Sequence, residues 1–167
     1  MTIKEQIIKD LQDAMRSGDA LRKETLRMTR SAIRNAEMAR SAHILDLAAL
    51  GDAAAQTQKL TQVELNTYTE VKRRRKLAEE YEAADNMEMA AKERDAIGEL
   101  VERYSLLDEA GIEDVLRKEI KQRRESVESF EHAKRMDLAD KERAEAAILE
   151  AYLPTQMTED QIEVEVR

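Results

Sequence analysis

Four basic residues are spaced so that they share one face of a predicted helix. They occur at i, i+4, i+7 and i+11, and they are Lys23, Arg27, Arg30 and Arg34. Cations at helical spacing can follow an RNA backbone, because phosphate contacts require charge but no particular base. The opposite face is predicted to consist of Leu21, Met28, Ala32 and Ala36. The alternative, which stays open, is a solvated face or one that docks on acidic parts of the chain.

Two further arginines interrupt apolar faces of predicted helices. Arg74 falls in the same arc as Val71 and Ala78, and Arg123 falls in the same arc as Leu116 and Ile120. A fixed guanidinium suits phosphate or carboxylate, so each arginine could form an anion site. Alternatively, each pairs with a carboxylate on a neighbouring helix and serves the fold alone.

No residue pattern predicts a catalytic, cofactor or metal site. The chain has no Cys, and its two His, His43 and His132, lie far apart in sequence and outside any metal-binding motif. A Gly-rich phosphate loop and a Ser-His-Asp arrangement are also missing from the sequence. We therefore predict no catalytic residues, no cofactor and no metal.

The composition predicts that helices position these residues. Only four Gly and one Pro occur in 167 residues, whereas 38% of residues are charged and 3% are aromatic. Ala, Glu, Lys, Arg and Leu favour helices. Hairpins between strands are disfavoured, because the chain has so few residues that form tight turns. We predict an all-α bundle of about six helices in antiparallel hairpin pairs, either compact or elongated.

Charge and hydropathy limit the cellular compartments and the binding partners that can be expected. The net charge is -8, but residues 1–40 carry nine Lys or Arg and six Asp or Glu, so the N-terminal part is cationic. No stretch has the roughly 18 apolar residues of a membrane span. The charged N-terminal sequence also differs from a signal peptide. A cytoplasmic protein without a membrane span is expected.

Capping signals divide the chain into segments. Thr2–Glu5, Thr61–Glu64 and Thr158–Gln161 are capping boxes, and Asp108 and Asp137 could also begin helices. The second helix is predicted to end near Arg40. The predicted segments are a helix pair (1–40), a connector (41–60), a first hairpin (61–105), a second hairpin (106–154) and the start of a tail (155–167).

The two hairpins are similar in sequence. Glu70–Arg94 aligns without gaps to Glu119–Arg143, with 12 identities in 25 positions at an offset of 49. Further on, LVERY at Leu100–Tyr104 matches ILEAY at Ile148–Tyr152. This order predicts an internal duplication, whose two copies are expected to cover each other's apolar faces.

Leu116–Pro154 resembles the core of the GatB/YqeY family, and Asp10–Glu37 is similar to the family's first two helices. The resemblance implies a helical domain followed by a small tail. That tail is shared with the B subunit of the glutamine-dependent amidotransferase that acts on misacylated Glu-tRNA or Asp-tRNA. This chain differs in having two hairpins where the family has one, and only the first turns of the tail.

The family resemblance implies a noncatalytic module that binds tRNA or amidotransferase subunits. The candidate contact residues are Lys23, Arg27, Arg30, Arg34, Arg74 and Arg123. Enzyme activity of its own, as a carbon-nitrogen ligase with glutamine as amide donor, has only the family label in its favour.

A second resemblance gives the alternative. Tyr81–Leu100 is similar to the UVR motif, a helical hairpin used for protein pairing. It implies a protein-interaction scaffold, or an accessory subunit of a larger complex.

Overall fold

The computed structural model describes residues 1–154, which form seven α-helices and no strand. Six helices are long and one is short, so the predicted all-α helical bundle is confirmed. The helices are α1 (Ile3–Ser17), α2 (Ala20–Leu50), α3 (Asp52–Thr57), α4 (Gln62–Ala83), α5 (Met87–Ser105), α6 (Glu109–His132) and α7 (Met136–Glu150). None of these helices is both long enough and apolar enough to cross a bilayer. The third capping box and the tail lie outside the described residues.

Three predicted helix starts are found at the expected residues. The Thr2 hydroxyl accepts the Glu5 N–H at 3.1 Å, and the Glu5 carboxylate accepts the Thr2 N–H at 2.9 Å. Thr61 and Glu64 form the same reciprocal pair at the start of α4. At α6, the Asp108 carboxylate accepts the N–H of Gly111 at 2.9 Å. Each cap satisfies backbone donors that the first helical turn leaves free.

Two helix boundaries differ from the prediction. Helix α2 continues past Arg40 to Leu50, because Ile44 and Leu47 are buried and no helix-breaking residue occurs before Gly51. Gly51 then takes a φ of 86°, which a residue with a side chain rarely adopts. At α7 the residue before the helix is Arg135, so Asp137 lies in the first turn, where a carboxylate suits the helix dipole.

The chain divides into two compact units, with the division inside α2. Unit 1 combines Met1–Ile33 with the chain from Asp108 onward, and unit 2 is Arg34–Leu107. The hairpin α6–α7 therefore belongs to unit 1 and the hairpin α4–α5 to unit 2. Each hairpin buries its apolar face within its own unit, whereas the sequence predicted a common interior.

Unit 2 has one apolar core formed by α2, α3, α4 and α5. Its buried residues are Ile44, Leu47, Ala55, Tyr68, Val71, Ile97, Val101 and Tyr104. The two ends of this unit meet. The N–H of Leu107 donates to the Glu37 carboxylate at 3.3 Å, and the Arg40 guanidinium donates to the Leu106 carbonyl at 3.2 Å.

Unit 1 buries apolar residues from α1, the first half of α2, α6 and α7. They are Ile7, Leu11, Ala14, Leu26, Ile33, Ile112, Leu116, Ile120, Ala139, Ala146 and Leu149. The start of α1 is also tied to α6, because the N–H of Ile3 donates to both carboxylate oxygens of Glu109, at 3.2 and 3.3 Å. This packing determines which side of α2 faces solvent.

The two hairpins have the same turn geometry. Asp85 and Lys134 lie at equivalent positions, and each has a φ of 56°. Ala90 and Ala139 are also equivalent, and both are fully buried.

Candidate nucleic-acid interface

The four cations on α2 lie free on the protein surface. Arg27, Arg30 and Arg34 are exposed and Lys23 is half-buried. None of the four side chains forms a hydrogen bond or ion pair with another residue in the described part of the chain. Lys23, Arg27 and Arg30 belong to unit 1, and Arg34 is the first residue of unit 2. The predicted stripe is therefore a row of unpaired charges on one helix.

Two buried threonines help to set the orientation of α2. The Thr25 hydroxyl donates to the Leu21 carbonyl and the Thr29 hydroxyl donates to the Thr25 carbonyl, each at 2.9 Å. These bonds satisfy both hydroxyls, so the two threonines can be fully buried. Met28, which the sequence places on the face opposite the stripe, is 48% exposed, so that face is not fully buried. The buried residues of this part of α2 are Thr25, Leu26, Thr29 and Ile33.

Asp10 joins three parts of unit 1 beside the stripe. Its carboxylate accepts the Tyr152 hydroxyl at 2.5 Å and an Arg22 N–H at 2.9 Å. The Gln6 amide donates to its second oxygen at 2.9 Å. These bonds hold the segment after α7 against α1 and α2. The sequence contained one sign of this contact, because Tyr152 is the aromatic residue that ILEAY shares with LVERY. Its counterpart in LVERY, Tyr104, also donates to a carboxylate, that of Glu64, at 3.3 Å.

The hydrogen bonds around Asp10 shift two pKa values in opposite directions. Burial, followed by the bond to the Asp10 carboxylate, raises the pKa of Tyr152 to about 12. Partial burial raises the pKa of Asp10, but the bonds from Tyr152 and Arg22 outweigh it and leave that pKa below its usual value. The pair is therefore a neutral phenol on a carboxylate near neutral pH.

Arg123 is buried between two carboxylates. Its Nε donates to Glu145 on α7 at 3.2 Å, and its Nη1 donates to the Glu119 carboxylate at 2.8 Å. The side chains of Arg123 and Glu145 are only 5% and 7% exposed. The remaining nitrogen, Nη2, is buried without a hydrogen-bond partner in the described structure. Two carboxylates thus bind Nε and Nη1, and the nitrogen that is left has no contact with solvent.

Arg74 occupies the equivalent position in the other hairpin and has a similar environment. Its Nε donates to Glu70 at 2.8 Å, and its Nη1 donates to Glu93 on α5 at 2.9 Å. The Arg74 side chain is 28% exposed. Both arginines therefore bind the carboxylate one turn earlier on their own helix and one carboxylate on the facing helix.

No group of His, Asp or Glu side chains within residues 1–154 is arranged to hold a metal ion. Residues 97–167 match the family model described as Yqey-like protein. This match covers the end of α5 together with α6 and α7. No curated protein matches the chain.

Proposed function

We propose that this chain, whose residues 97–167 match the YqeY-like family model, is a noncatalytic helical protein that binds tRNA, in association with tRNA-dependent amidotransferase function. The observation that carries the proposal is the row of four cations on α2 whose side chains have no partner within residues 1–154. A paired cation such as Arg22 must separate from its carboxylate before it can contact a phosphate. The four cations of the row need no such step. Their spacing along one helix face also suits successive phosphates.

We assign Arg74 and Arg123 a structural role in this proposal, which is the alternative to an anion site that the sequence left open. Their guanidinium groups already bind two carboxylates each. At Arg123 a phosphate would have to enter a buried site beside two carboxylates, which costs far more than replacing water at an exposed arginine. The tRNA contact is therefore assigned to α2, and the two arginines stabilise the hairpins.

Titration of labelled tRNA at two salt concentrations tests the proposal. If each of the four cations contacts one phosphate, the log-log slope of affinity against salt is expected to be about -3.6. The triple variant Lys23→Gln, Arg27→Gln, Arg30→Gln should weaken binding by at least about tenfold and reduce the slope to about -0.9.

A matched control neutralises three exposed cations elsewhere that also have no partner within residues 1–154. The control variant is Lys9→Gln, Lys59→Gln, Arg103→Gln. It has the same net charge as the test variant, so it should retain most of the affinity. Absence of binding at low salt, or equal losses in the two variants, would show that the proposal is wrong.

The second candidate function is that of an accessory subunit which docks through its two hairpins. It is favoured by Met87 and Met136, which occupy equivalent positions just after the two turns and are 59% and 50% exposed. Exposed methionines adapt readily to a partner's surface. If the hairpins arose by duplication, they would offer two similar docking sites.

Affinity capture of the full chain from native cytoplasm tests this candidate. We expect a stoichiometric partner that is lost when Met87 and Met136 are both replaced by Glu. The control is Met15→Glu, because Met15 is 62% exposed and lies on α1, which is part of neither hairpin. Recovery of no stoichiometric partner, or the same loss with the control, would exclude docking through the hairpin turns.

A further inference from the structure

A groove in unit 1 lies between α6 and the end of α7. It has a volume of about 320 Å³, and its apolar surface is formed by Ile120, Leu153 and Pro154. Its basic rim is formed by Arg117, Lys121 and Arg124. The three cations occur at i, i+4 and i+7 of α6, so they form a second basic row, which is separate from the one on α2.

The cations on the rim are held only weakly by their present partners. Arg117 contacts Glu113 at 2.9 Å, Arg124 contacts Glu150 at 2.7 Å, and Lys121 is 3.9 Å from Glu125. All three basic side chains are more than two-fifths exposed, with fractions of 44%, 68% and 78% for Arg117, Arg124 and Lys121. Exposed ion pairs contribute little stability, so a ligand carboxylate can replace the present partner at small cost.

The lining favours a peptide over a nucleic acid. Among residues 1–154, those that line the groove include no aromatic side chain on which a base could stack. The aliphatic surface of Ile120 and Leu153 instead suits an aliphatic side chain. Arginines on the rim suit carboxylates, which they can bind through two parallel hydrogen bonds.

We propose that the groove between α6 and α7 binds an acidic peptide segment of a partner protein. An aliphatic side chain of that segment lies on Ile120, Leu153 and Pro154. Its carboxylates, at helical spacing, pair with Arg117, Lys121 and Arg124. This site is independent of tRNA binding by α2, so one protein can hold a nucleic acid and a protein partner at different surfaces.

The test uses a fluorescein-labelled helical peptide with a central Leu flanked by Glu residues at four-residue spacing. Its binding to the full chain is measured by fluorescence anisotropy, and the site is located by amide chemical shifts. We expect saturable binding that shifts the amides of residues 117–124 and 149–153. Lys121→Glu should weaken binding by about tenfold, since it replaces an attractive charge with a repulsive one.

Lys118→Glu is the matched control, because Lys118 is exposed on the same helix but does not line the groove. It should leave the affinity for the peptide nearly unchanged. A peptide with Gln in place of Glu, and an oligouridylate, serve as alternative ligands. The proposal is overturned if the Gln peptide binds equally well, if the two lysine variants lose the same affinity, if the oligouridylate binds the groove more tightly, or if no peptide binds saturably.

Discussion

Replacement of Glu145 by Leu is expected to lower the free energy of unfolding by about 3 kcal/mol, because it leaves the buried guanidinium of Arg123 without its partner on α7. Glu119 still contacts Arg123 at 2.8 Å, which limits the loss. The double variant Arg123→Leu, Glu145→Leu should recover most of the stability. Two leucines in this site need no counter-charge, and the orphaned Nη2 is removed as well.

Urea unfolding followed by circular dichroism measures both effects. The control is Glu93→Leu, which removes the partner of Arg74 on the facing helix of the other hairpin. The Arg74 and Glu93 side chains are 28% and 17% exposed, so water can solvate the unpaired arginine, and we expect a loss of about 1 kcal/mol. Equal losses in the two single variants would contradict the importance of burial at Arg123.

Tyr152→Phe is expected to lower the free energy of unfolding by about 1.5 kcal/mol near neutral pH, because the Asp10 carboxylate loses the hydroxyl donor at 2.5 Å. The wild-type chain should also lose stability in alkali. The pKa of Tyr152 is raised from 10.0 to about 12 in the folded state, so folding favours the neutral phenol. Its contribution is therefore complete below pH 10 and is lost as the pH rises through about 12.

Urea unfolding near neutral pH and at about pH 11 checks the sign of this dependence. Tyr68 must be controlled, since its hydrogen bond to Asp52 also raises its pKa to about 12. Tyr68→Phe should remove one part of the alkaline loss, and Tyr152→Phe should remove another. If Tyr152→Phe unfolds with the same pH dependence as the wild-type chain, the contact with Asp10 does not stabilise the fold.

Helix starts were predictable because their signals are local. Thr2 with Glu5 and Thr61 with Glu64 satisfy backbone donors within four residues, so the pattern is contained in a short stretch of sequence. The end of α2 was not predictable in this way. Only tertiary packing shows that Ile44 and Leu47 belong to a core with α4 and α5.

For the candidate site, too, local spacing was predictable from the sequence and tertiary contacts were not. The spacing of the cations from Lys23 to Arg34 placed them on one helix face, but which side of α2 is buried depends on Thr25 and Thr29, whose hydroxyls are satisfied by their own helix. The sequence also placed Arg123 among apolar residues. With so many carboxylates available, it could not identify Glu145 as the partner, nor pair Asp10 with Tyr152, which are separated by 142 positions.

The order in which residues join unit 1 has a consequence for synthesis on the ribosome. Residues 34–107 are contiguous, and their two ends meet through Glu37 and Leu107, so this part of the chain can fold as soon as it emerges. Residues 1–33 must wait until α6 and α7 have been translated. During that interval Ile7, Leu11 and Leu26 lack their partners, and chaperones or early association with another chain would be most valuable then.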